Sequence, residues 1–449
     1  MRLSLTHAGL WCLCAAQGVA ASVGHRHQHG GSITPETRGH EARGHGAHGH
    51  QAHGHKARSR RVTTSKSVYS TGPQDPDVDP RAAAKAAIDS MNSAFFNSTL
   101  AVWAPTDPWW LSGVAITSVI DYMRKTDTTD YLDKVTAIFQ AQRSQAPGGA
   151  GDFRAESTDD TGWWALAMVR MFDITGDRQY LDLAAGDEAY IYQSWSEKPC
   201  GGGIYVDIAA RTYKNAIANE LYIKLAAALH NRIPGDTVYL ERAKKAWKWF
   251  KSSGMINEGG LINDGLASRK DGTCFNNGLP VWTYNQGVVL GALVELYHAT
   301  SSTGYLQDAR AIADAVLSSS PSKRGNPSLV DHASILTEGD CSGPREASGG
   351  CNVDQQIFKG VFMYNLAELD EAIARAGIDS DDGGRPYAKF LRKNIRSAYV
   401  HARGKGTSGL AGGADLYGVA WGGLDPGRAQ WTATLGTQAS ALGLLISGI

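Results

Sequence analysis

The segment Gly287-Val288-Val289-Leu290-Gly291-Ala292-Leu293-Val294 is small and apolar on every side, whereas Tyr239-Leu240-Glu241-Arg242-Ala243-Lys244-Lys245-Ala246-Trp247 carries charge along one side. An α-helix that is apolar all round is buried, and a helix with a polar stripe faces water. Segments of these two kinds alternate along the chain. The sequence therefore predicts an inner and an outer layer of helices.

The helices are joined by a recurring turn. A Gly, Asp or Thr turn ends one helix and a Tyr-Leu pair begins the next, as at Tyr131-Leu132, Tyr180-Leu181, Tyr239-Leu240 and Tyr305-Leu306. The intervals are unequal, so the chain is not a strict solenoid. We expect an all-α fold, an (α/α)6 barrel or six-hairpin toroid in a single domain, with helices near 80–101, 109–125, 128–143, 160–174, 178–195, 213–231, 236–253, 284–299, 303–319, 352–374, 384–400 and 430–446.

The N-terminal region has a different composition. Residues 1–21 combine a basic start, an apolar run and small terminal residues, which is typical of a secretory signal peptide. Residues 22–61 are rich in His and Gly and end in a dibasic site, so we expect a disordered propeptide or linker. Metal binding by this tract is the alternative, which its irregular spacing does not favour. Residues 62–79 are expected to be a linker, and 80–449 the folded (α/α)6 domain.

Several features predict where the protein works. We expect a monomer that is secreted to the extracellular space or the cell wall. The C-terminal segment 439–449 is apolar but short and follows no polar spacer, so a glycolipid anchor is not expected, and neither is a transmembrane segment. Asn97-Ser98-Thr99 is a glycosylation sequon. After residue 61 acidic residues outnumber basic ones, which excludes nucleic acid as a partner.

Four cysteines remain after the expected signal peptide. An even number in an oxidising compartment predicts two disulfides. Cys341 and Cys351 flank a short Gly- and Ser-rich loop, which predicts one bond, and Cys200 and Cys274 are left for the other. The spacing lacks close Cys and His pairs, so no metal site is expected.

Two adjacent carboxylates precede an aromatic pair in Ser157-Thr158-Asp159-Asp160-Thr161-Gly162-Trp163-Trp164. Aspartates at a helix N-terminus cap free N–H groups, which is one interpretation. The other is glycosidic bond cleavage, which uses two carboxyl groups. In an alternating barrel the loops that enter the inner helices meet at one end, and further polar and aromatic clusters fall there. Amides and carboxylates bind sugar hydroxyls, and aromatic faces pack on sugar rings.

We therefore predict a carbohydrate site at that end, although the aromatic residues could belong to the core and the amides could cap helices. The predicted catalytic residues are Asp159 and Asp160. The predicted substrate-binding residues are Trp110, Trp163, Trp164, Tyr205, Asp207, Asn215, Asn219, Tyr284, Asn285, Gln286, Asp354, Gln355 and Lys359.

Five motifs in order resemble glycoside hydrolase family 76: 159–167, 200–205, 213–219, 282–287 and 354–360. The resemblance covers residues 80–449 and implies an (α/α)6 barrel. It also implies endo-cleavage of α-1,6-mannan, or of a mannoprotein glycan, with retention of configuration and without a cofactor. Asp159 would then be the nucleophile and Asp160 the general acid/base. Retention requires carboxyl groups about 5–5.5 Å apart, so the pair is expected at the first helical turn or just before it.

Two alternatives remain open. A transglycosylase that acts on the mannan of glycolipid-anchored wall proteins would use the same covalent intermediate. A catalytically silent mannan-binding wall protein would keep the aromatic residues without needing the aspartate pair, which is present here.

Overall fold

A computed structural model describes residues 77–319, 328–338, 341, 344–347, 351–378, 384–405, 415–424 and 431–449. The predicted signal peptide, the His-rich tract and most of the predicted linker lie outside these ranges. None of the helices in the described ranges combines the length and the apolar character needed to cross a lipid bilayer.

The described residues form α-helices and three two-stranded antiparallel hairpins. The helices are α1 Pro80–Phe95, α2 Trp110–Thr126, α3 Leu132–Gln142, α4 Thr158–Thr175, α5 Arg178–Tyr192, α6 Ala216–Arg232, α7 Val238–Ser252, α8 Thr283–Thr300, α9 Thr303–Leu317, α10 Pro344–Ala347, α11 Gln355–Ala376, α12 Ala388–Ser397 and α13 Leu435–Ile446. A π-helical turn, Ala398–Ala402, follows α12. The strands pair as β1 Phe96–Asn97 with β2 Val102–Trp103, β3 Leu266–Ser268 with β4 Cys274–Asn276, and β5 Arg403–Lys405 with β6 Asp415–Tyr417.

Six helices form a closed inner ring. Helix α2 packs on α4, α4 on α6, α6 on α8, α8 on α11, α11 on α13, and α13 returns to α2. The other six long helices, α1, α3, α5, α7, α9 and α12, pack outside this ring. This arrangement is an (α/α)6 barrel, so the predicted fold class is confirmed.

Burial explains the division into two rings. All residues of α13 are buried, and α6 is buried along nearly its whole circumference. Helix α7 buries only one side, which includes Trp247 and Phe250. Small residues allow the inner helices to approach closely: a Cβ on Gly287 would lie 2.5 Å from the Phe362 Cα, and one on Gly360 would lie 2.4 Å from the Ser440 Cα.

Most predicted helices lie within a few residues of the observed ones, and the differences have local causes. The first helix ends at Phe95 rather than near 101, because the chain turns there into the β1–β2 hairpin. Asn97 begins that turn, and its side-chain oxygen accepts hydrogen bonds from the N–H groups of Thr99 and Leu100. Its glycosylation stays a prediction. The last helix begins at Leu435 rather than 430, where Thr434 forms a capping box with Thr437.

One of the two predicted disulfides is present. Cys200 and Cys274 are bonded and tie the loop before α6 to strand β4. The predicted Cys341–Cys351 bond is wrong for this structure, since both residues are free, buried thiols. A hydrogen bond with Cys351, together with burial, raises the pKa of the Cys341 thiol. That thiol donates to the Gln355 side-chain oxygen at 2.8 Å, so it is held as a hydrogen-bond donor.

Candidate active site

The aspartate pair lies in the first turn of α4, as expected. Ser157 is the N-cap residue but makes no side-chain cap, and the helix start is instead held by a neighbouring loop. The Thr158 N–H donates to the Val206 carbonyl at 2.8 Å, and its hydroxyl donates to the Tyr205 carbonyl at 3.0 Å. The loop therefore supplies the hydrogen-bond acceptors that the first residue of α4 needs. The two carboxyl groups are left partly buried at the end of the barrel where the inner helices begin, which we call the barrel mouth.

The two carboxyl groups have different electrostatic environments. Burial raises the pKa of Asp159 to about 6, against hydrogen bonds from Ser157 and from the Asp160 N–H that lower it. Burial and the nearby charge of Asp159 raise the pKa of Asp160 well above its usual range. Asp354 adds repulsion to both groups. These surroundings favour a proton on Asp160 more strongly than on Asp159, so Asp159 is the first of the pair to ionise as pH rises.

An aromatic wall of Trp110, Trp163, Tyr284 and Phe358 lies next to Asp354, with Tyr284 half-buried and the other three rings buried. The rings of Trp110 and Trp163 stack with centroids 5.5 Å apart, and Tyr284 stacks on Phe358 at 3.8 Å. Trp110 also meets Phe358 at 6.4 Å, which joins the two pairs. The Trp110 indole N–H donates to Asp354 at 3.1 Å and so links the wall to the carboxylates. Tyr284 is the most exposed ring of the wall, and an exposed aromatic ring can pack against the apolar face of a sugar.

Trp164 does not belong to this wall. It is fully buried and packs between Trp109, at 4.7 Å, and Phe153, at 5.3 Å. Because it lies one residue after Trp163 on an α-helix, its ring points about 100° away, into the core. In this structure Trp164 therefore serves the core, and its role in substrate binding stays a prediction.

Asn219 and Gln286 hold loops rather than face the mouth. Asn219 accepts from the Ile204 N–H at 2.7 Å and donates to the Ile204 carbonyl at 3.1 Å. Gln286 makes the same pair of bonds with Ile262, both at 2.8 Å. Both side chains are completely buried, so they are not available to substrate in this structure.

These two residues are members of a repeated set that we call the fourth-residue clamps. Each is the fourth residue of an inner helix and hydrogen-bonds to the backbone of the loop above it. In α13 the clamp is Gln438, which accepts from the Tyr417 N–H at 2.9 Å. In α4 it is Thr161, whose hydroxyl accepts from the Ala155 N–H at 2.9 Å. The clamps place the loops from which the mouth is built.

Lys359 is also placed away from the mouth. Its ammonium group is buried and bonds to Glu346 at 2.5 Å and to the Val419 carbonyl at 2.8 Å, above the ring of Trp421. In this structure the ammonium group therefore joins the loops around α11, and substrate binding by Lys359 stays a prediction.

The remaining predicted residues fall into two groups. Tyr205, Asp207 and Asn215 serve the loops, since Tyr205 donates to the Lys198 carbonyl, Asp207 accepts from the Ala210 N–H and Asn215 caps α6 through the Ala218 N–H. Gln355 accepts from the Asn352 N–H at 3.0 Å as well as from Cys341. Asn285 differs from these, because both polar atoms of its buried amide lack a partner in the described part of the chain.

Asp264 is a residue of the mouth that the sequence analysis missed. It accepts a hydrogen bond from the Tyr213 hydroxyl at 2.5 Å and another from Trp282. Its carbonyl accepts from the first N–H of α6, as the Val206 carbonyl does for α4. Aligning the loops by their distance from the inner helices would have found it. No three His, Cys, Asp or Glu side chains converge on a possible metal site in the described ranges.

Comparisons with known proteins agree with this architecture. The family model of glycosyl hydrolase family 76 matches residues 80–447. Mannan endo-1,6-alpha-mannosidase DFG5 of Saccharomyces cerevisiae is 27% identical over 65% of this chain and 64% of its own length. Mannan endo-1,6-alpha-mannosidase DCW1 of the same yeast is 25% identical over 78% of this chain and 74% of its own length. This chain thus spans slightly less than two thirds of the DFG5 relative.

Solved structures show the same fold. The GH76A alpha-1,6-mannanase from Salegentibacter sp. HEL1_6 superposes with a TM-score of 0.67 at 23% identity, over 82% of this chain and 99% of that one. Dfg5 from Chaetomium thermophilum, in complex with glucosamine, superposes with a TM-score of 0.64 at 19% identity, over 82% of this chain and 89% of that one. From its matched length and its closed double ring, this chain belongs to glycosyl hydrolase family 76.

Proposed function

We propose that the protein is an endo-acting mannanase that cleaves α-1,6-mannosidic bonds with retention of configuration. The observation that carries the proposal is the position of two adjacent aspartates in the first turn of an inner helix at the barrel mouth, in surroundings that raise the pKa of Asp160 well above its usual range and that of Asp159 to about 6. The activity for which the yeast relatives and the Salegentibacter enzyme are named supports the choice of substrate.

The first chemical step uses both aspartates. An ionised Asp159 oxygen attacks the anomeric carbon and forms a covalent mannosyl ester, while the Asp160 carboxylic acid gives its proton to the departing glycosidic oxygen. The bond between the anomeric carbon and that oxygen breaks, and the shortened mannan leaves with a free hydroxyl group. Asp160 is then ionised.

The second step reverses these roles. The Asp160 carboxylate takes a proton from water, and the water oxygen attacks the anomeric carbon. The ester bond to Asp159 breaks, Asp159 regains its charge and Asp160 its proton. Two inversions at the anomeric carbon give net retention. The aromatic wall supports this by packing against the sugar while Asp354 accepts from Trp110.

The test is digestion of unbranched α-1,6-mannan, with the anomer of the first product followed by NMR. An α product is expected, and a β product would sink the nucleophile role of Asp159. Asp159→Asn and Asp160→Asn should each abolish cleavage, whereas the matched control Asp182→Asn, on the exposed side of α5, should not. Products longer than the substrate would show transfer to a sugar acceptor in place of water.

We also propose that the protein acts outside the cell. The support is the signal-like composition of residues 1–21 and the disulfide between Cys200 and Cys274. N-terminal sequencing of protein from the medium of the producing cells tests this. A mature N-terminus after residue 21, or after the dibasic site at 61, is expected, and an intact Met1 would refute processing.

A further inference from the structure

Two buried polar side chains lie beneath the mouth and take no part in the proposed chemistry. Glu220 of α6 and Asn285 of α8 are both completely shielded from solvent. Neither carboxyl oxygen of Glu220 and neither polar atom of the Asn285 amide has a hydrogen-bond partner in the structure as described. Buried polar groups without partners are rare, because each loses its hydration without compensation.

The helical geometry of α8 shows where Asn285 points. Thr283 donates to Glu338, and Tyr284 stacks on Phe358 of α11. Gln286 faces the Ile262 loop. Successive residues of a helix point about 100° apart. The direction left for Asn285 is toward α6.

The geometry of α6 is complementary. Asn219 faces the Ile204 loop, a Cβ on Gly162 of α4 would lie 3.2 Å from the Leu221 Cβ, and Tyr222 donates to Glu188 of α5. Glu220 is left to face α8. Lys224 lies one turn further along the same side of α6, and its ammonium group also comes close to α8, 2.4 Å from where a Cβ of Gly291 would be.

The charges around Glu220 favour its neutral form. Burial, and then the charge of nearby Asp264, raise the pKa of Glu220 well above its usual range. Lys224, the cation on the same side of α6, bonds to Asn365 at 2.6 Å and to Glu368 at 2.9 Å instead. A neutral carboxylic acid carries one donor and one acceptor, which match the oxygen and the N–H of a primary amide.

We propose that Glu220 is a positioning residue: it is a neutral acid that hydrogen-bonds with the Asn285 amide through one shared water, and fixes α6 and α8 beneath Asp264. Asp264 in turn lies at the mouth, against Tyr213 and Trp282. The link itself does not depend on the reaction, whereas its effect on catalysis rests on the mannanase activity proposed above.

Thermal unfolding tests the link without substrate. Glu220→Gln keeps one donor and one acceptor but cannot ionise. Wild type should lose stability relative to this variant as pH rises from 5 to 8, because the unfolded Glu220 ionises while the folded one stays neutral. The Tm of Glu220→Gln minus the Tm of wild type should therefore increase from pH 5 to pH 8. The exposed control Glu241→Gln on α7 should show no such trend. A constant Tm difference would show that Glu220 is ionised in the fold and would overturn the proposal.

Kinetics test the positioning role. Glu220→Gln should keep kcat/KM within about threefold of wild type. Glu220→Leu and Asn285→Leu should each lower kcat/KM at least about tenfold. The double variant should lower it no further than the more damaging of the two single changes. Losses that multiply, or a Glu220→Gln variant as weak as Glu220→Leu, would overturn the role. If Glu220→Leu does not fold, the Tm and kcat/KM of Glu220→Gln still test the proposal. Absence of mannanase activity in wild type would refute the proposed function, and the unfolding experiment would still decide the link.

Discussion

The acid side of the pH profile should be set by Asp159 and shifted by a change at Asp354. The nucleophile must be ionised, and burial raises the pKa of Asp159 to about 6. Wild-type kcat/KM should therefore fall as pH decreases through 6, to about a tenth of its limiting value at pH 5. The alkaline side should follow the loss of the proton from Asp160, whose pKa is raised well above its usual range by burial and by Asp159.

Asp354→Asn removes a negative charge but keeps a side-chain oxygen for the Trp110 indole. The charge of Asp354 is the smallest of the stated influences on Asp159, so its removal should lower the pKa of Asp159 by no more than about one unit. A full unit would raise the ionised fraction at pH 5 from about 0.09 to about 0.5, a gain of roughly fivefold. The acid limb should move toward lower pH by an amount between zero and this limit.

The assay is the initial rate of cleavage of an α-1,6-linked manno-oligosaccharide at low concentration, from pH 4 to pH 9. The ratio of kcat/KM at pH 5 to that at pH 7 removes any effect of the substitution on the plateau. Asp182→Asn on the outer helix α5 is the control and should leave this ratio unchanged. A shift of the acid limb to higher pH in Asp354→Asn would refute the electrostatic reasoning.

Three further predictions concern stability and loop placement. Replacing both Cys200 and Cys274 by Ser opens a loop with a sequence separation of 74 residues and should lower the free energy of unfolding by up to about 4 kcal/mol in denaturant titration, and an unchanged midpoint would contradict this. Lys359→Met leaves Glu346 buried without its cation and should cost about 3–5 kcal/mol by the same measurement, with recovery expected in a Lys359→Met/Glu346→Gln double variant. Asn219→Leu removes the clamp on Ile204 and should destabilise the protein by about 2–3 kcal/mol and lower kcat/KM, and wild-type stability would show that the clamp is dispensable.

The layered fold was accessible from the sequence because it depends on periodicity. Helix α13 is apolar on all sides, whereas α7 is apolar on one side only. This contrast is a property of the sequence and does not depend on how individual side chains pack. The exact ends of the helices were harder to predict. The β1–β2 hairpin follows α1 directly, and the Thr434 cap determines where α13 begins. The position of Asp159 and Asp160 in a first turn was also predictable, since the motif sits where an inner helix starts.

Side-chain direction was the part that the sequence could not supply. Asn219, Gln286 and Lys359 have the chemistry of sugar ligands, but tertiary contacts with loops and with Glu346 occupy them. Trp163 and Trp164 are neighbours in sequence, yet one stacks on Trp110 of the aromatic wall and the other on Phe153. Asp264 was missed because its loop carries no motif of its own.

The fourth-residue clamps have a consequence for how such a protein can diverge. Each clamp hydrogen-bonds to the peptide groups of its loop, as Asn219 does at Ile204 and Gln286 at Ile262. These bonds therefore depend little on which side chains the loop carries. The rim of the barrel can therefore accumulate substitutions, and new sugar preferences with them, while the framework that carries Asp159 and Asp160 keeps its geometry. Mutational libraries directed at the loop side chains should retain folded members far more often than libraries directed at the clamps.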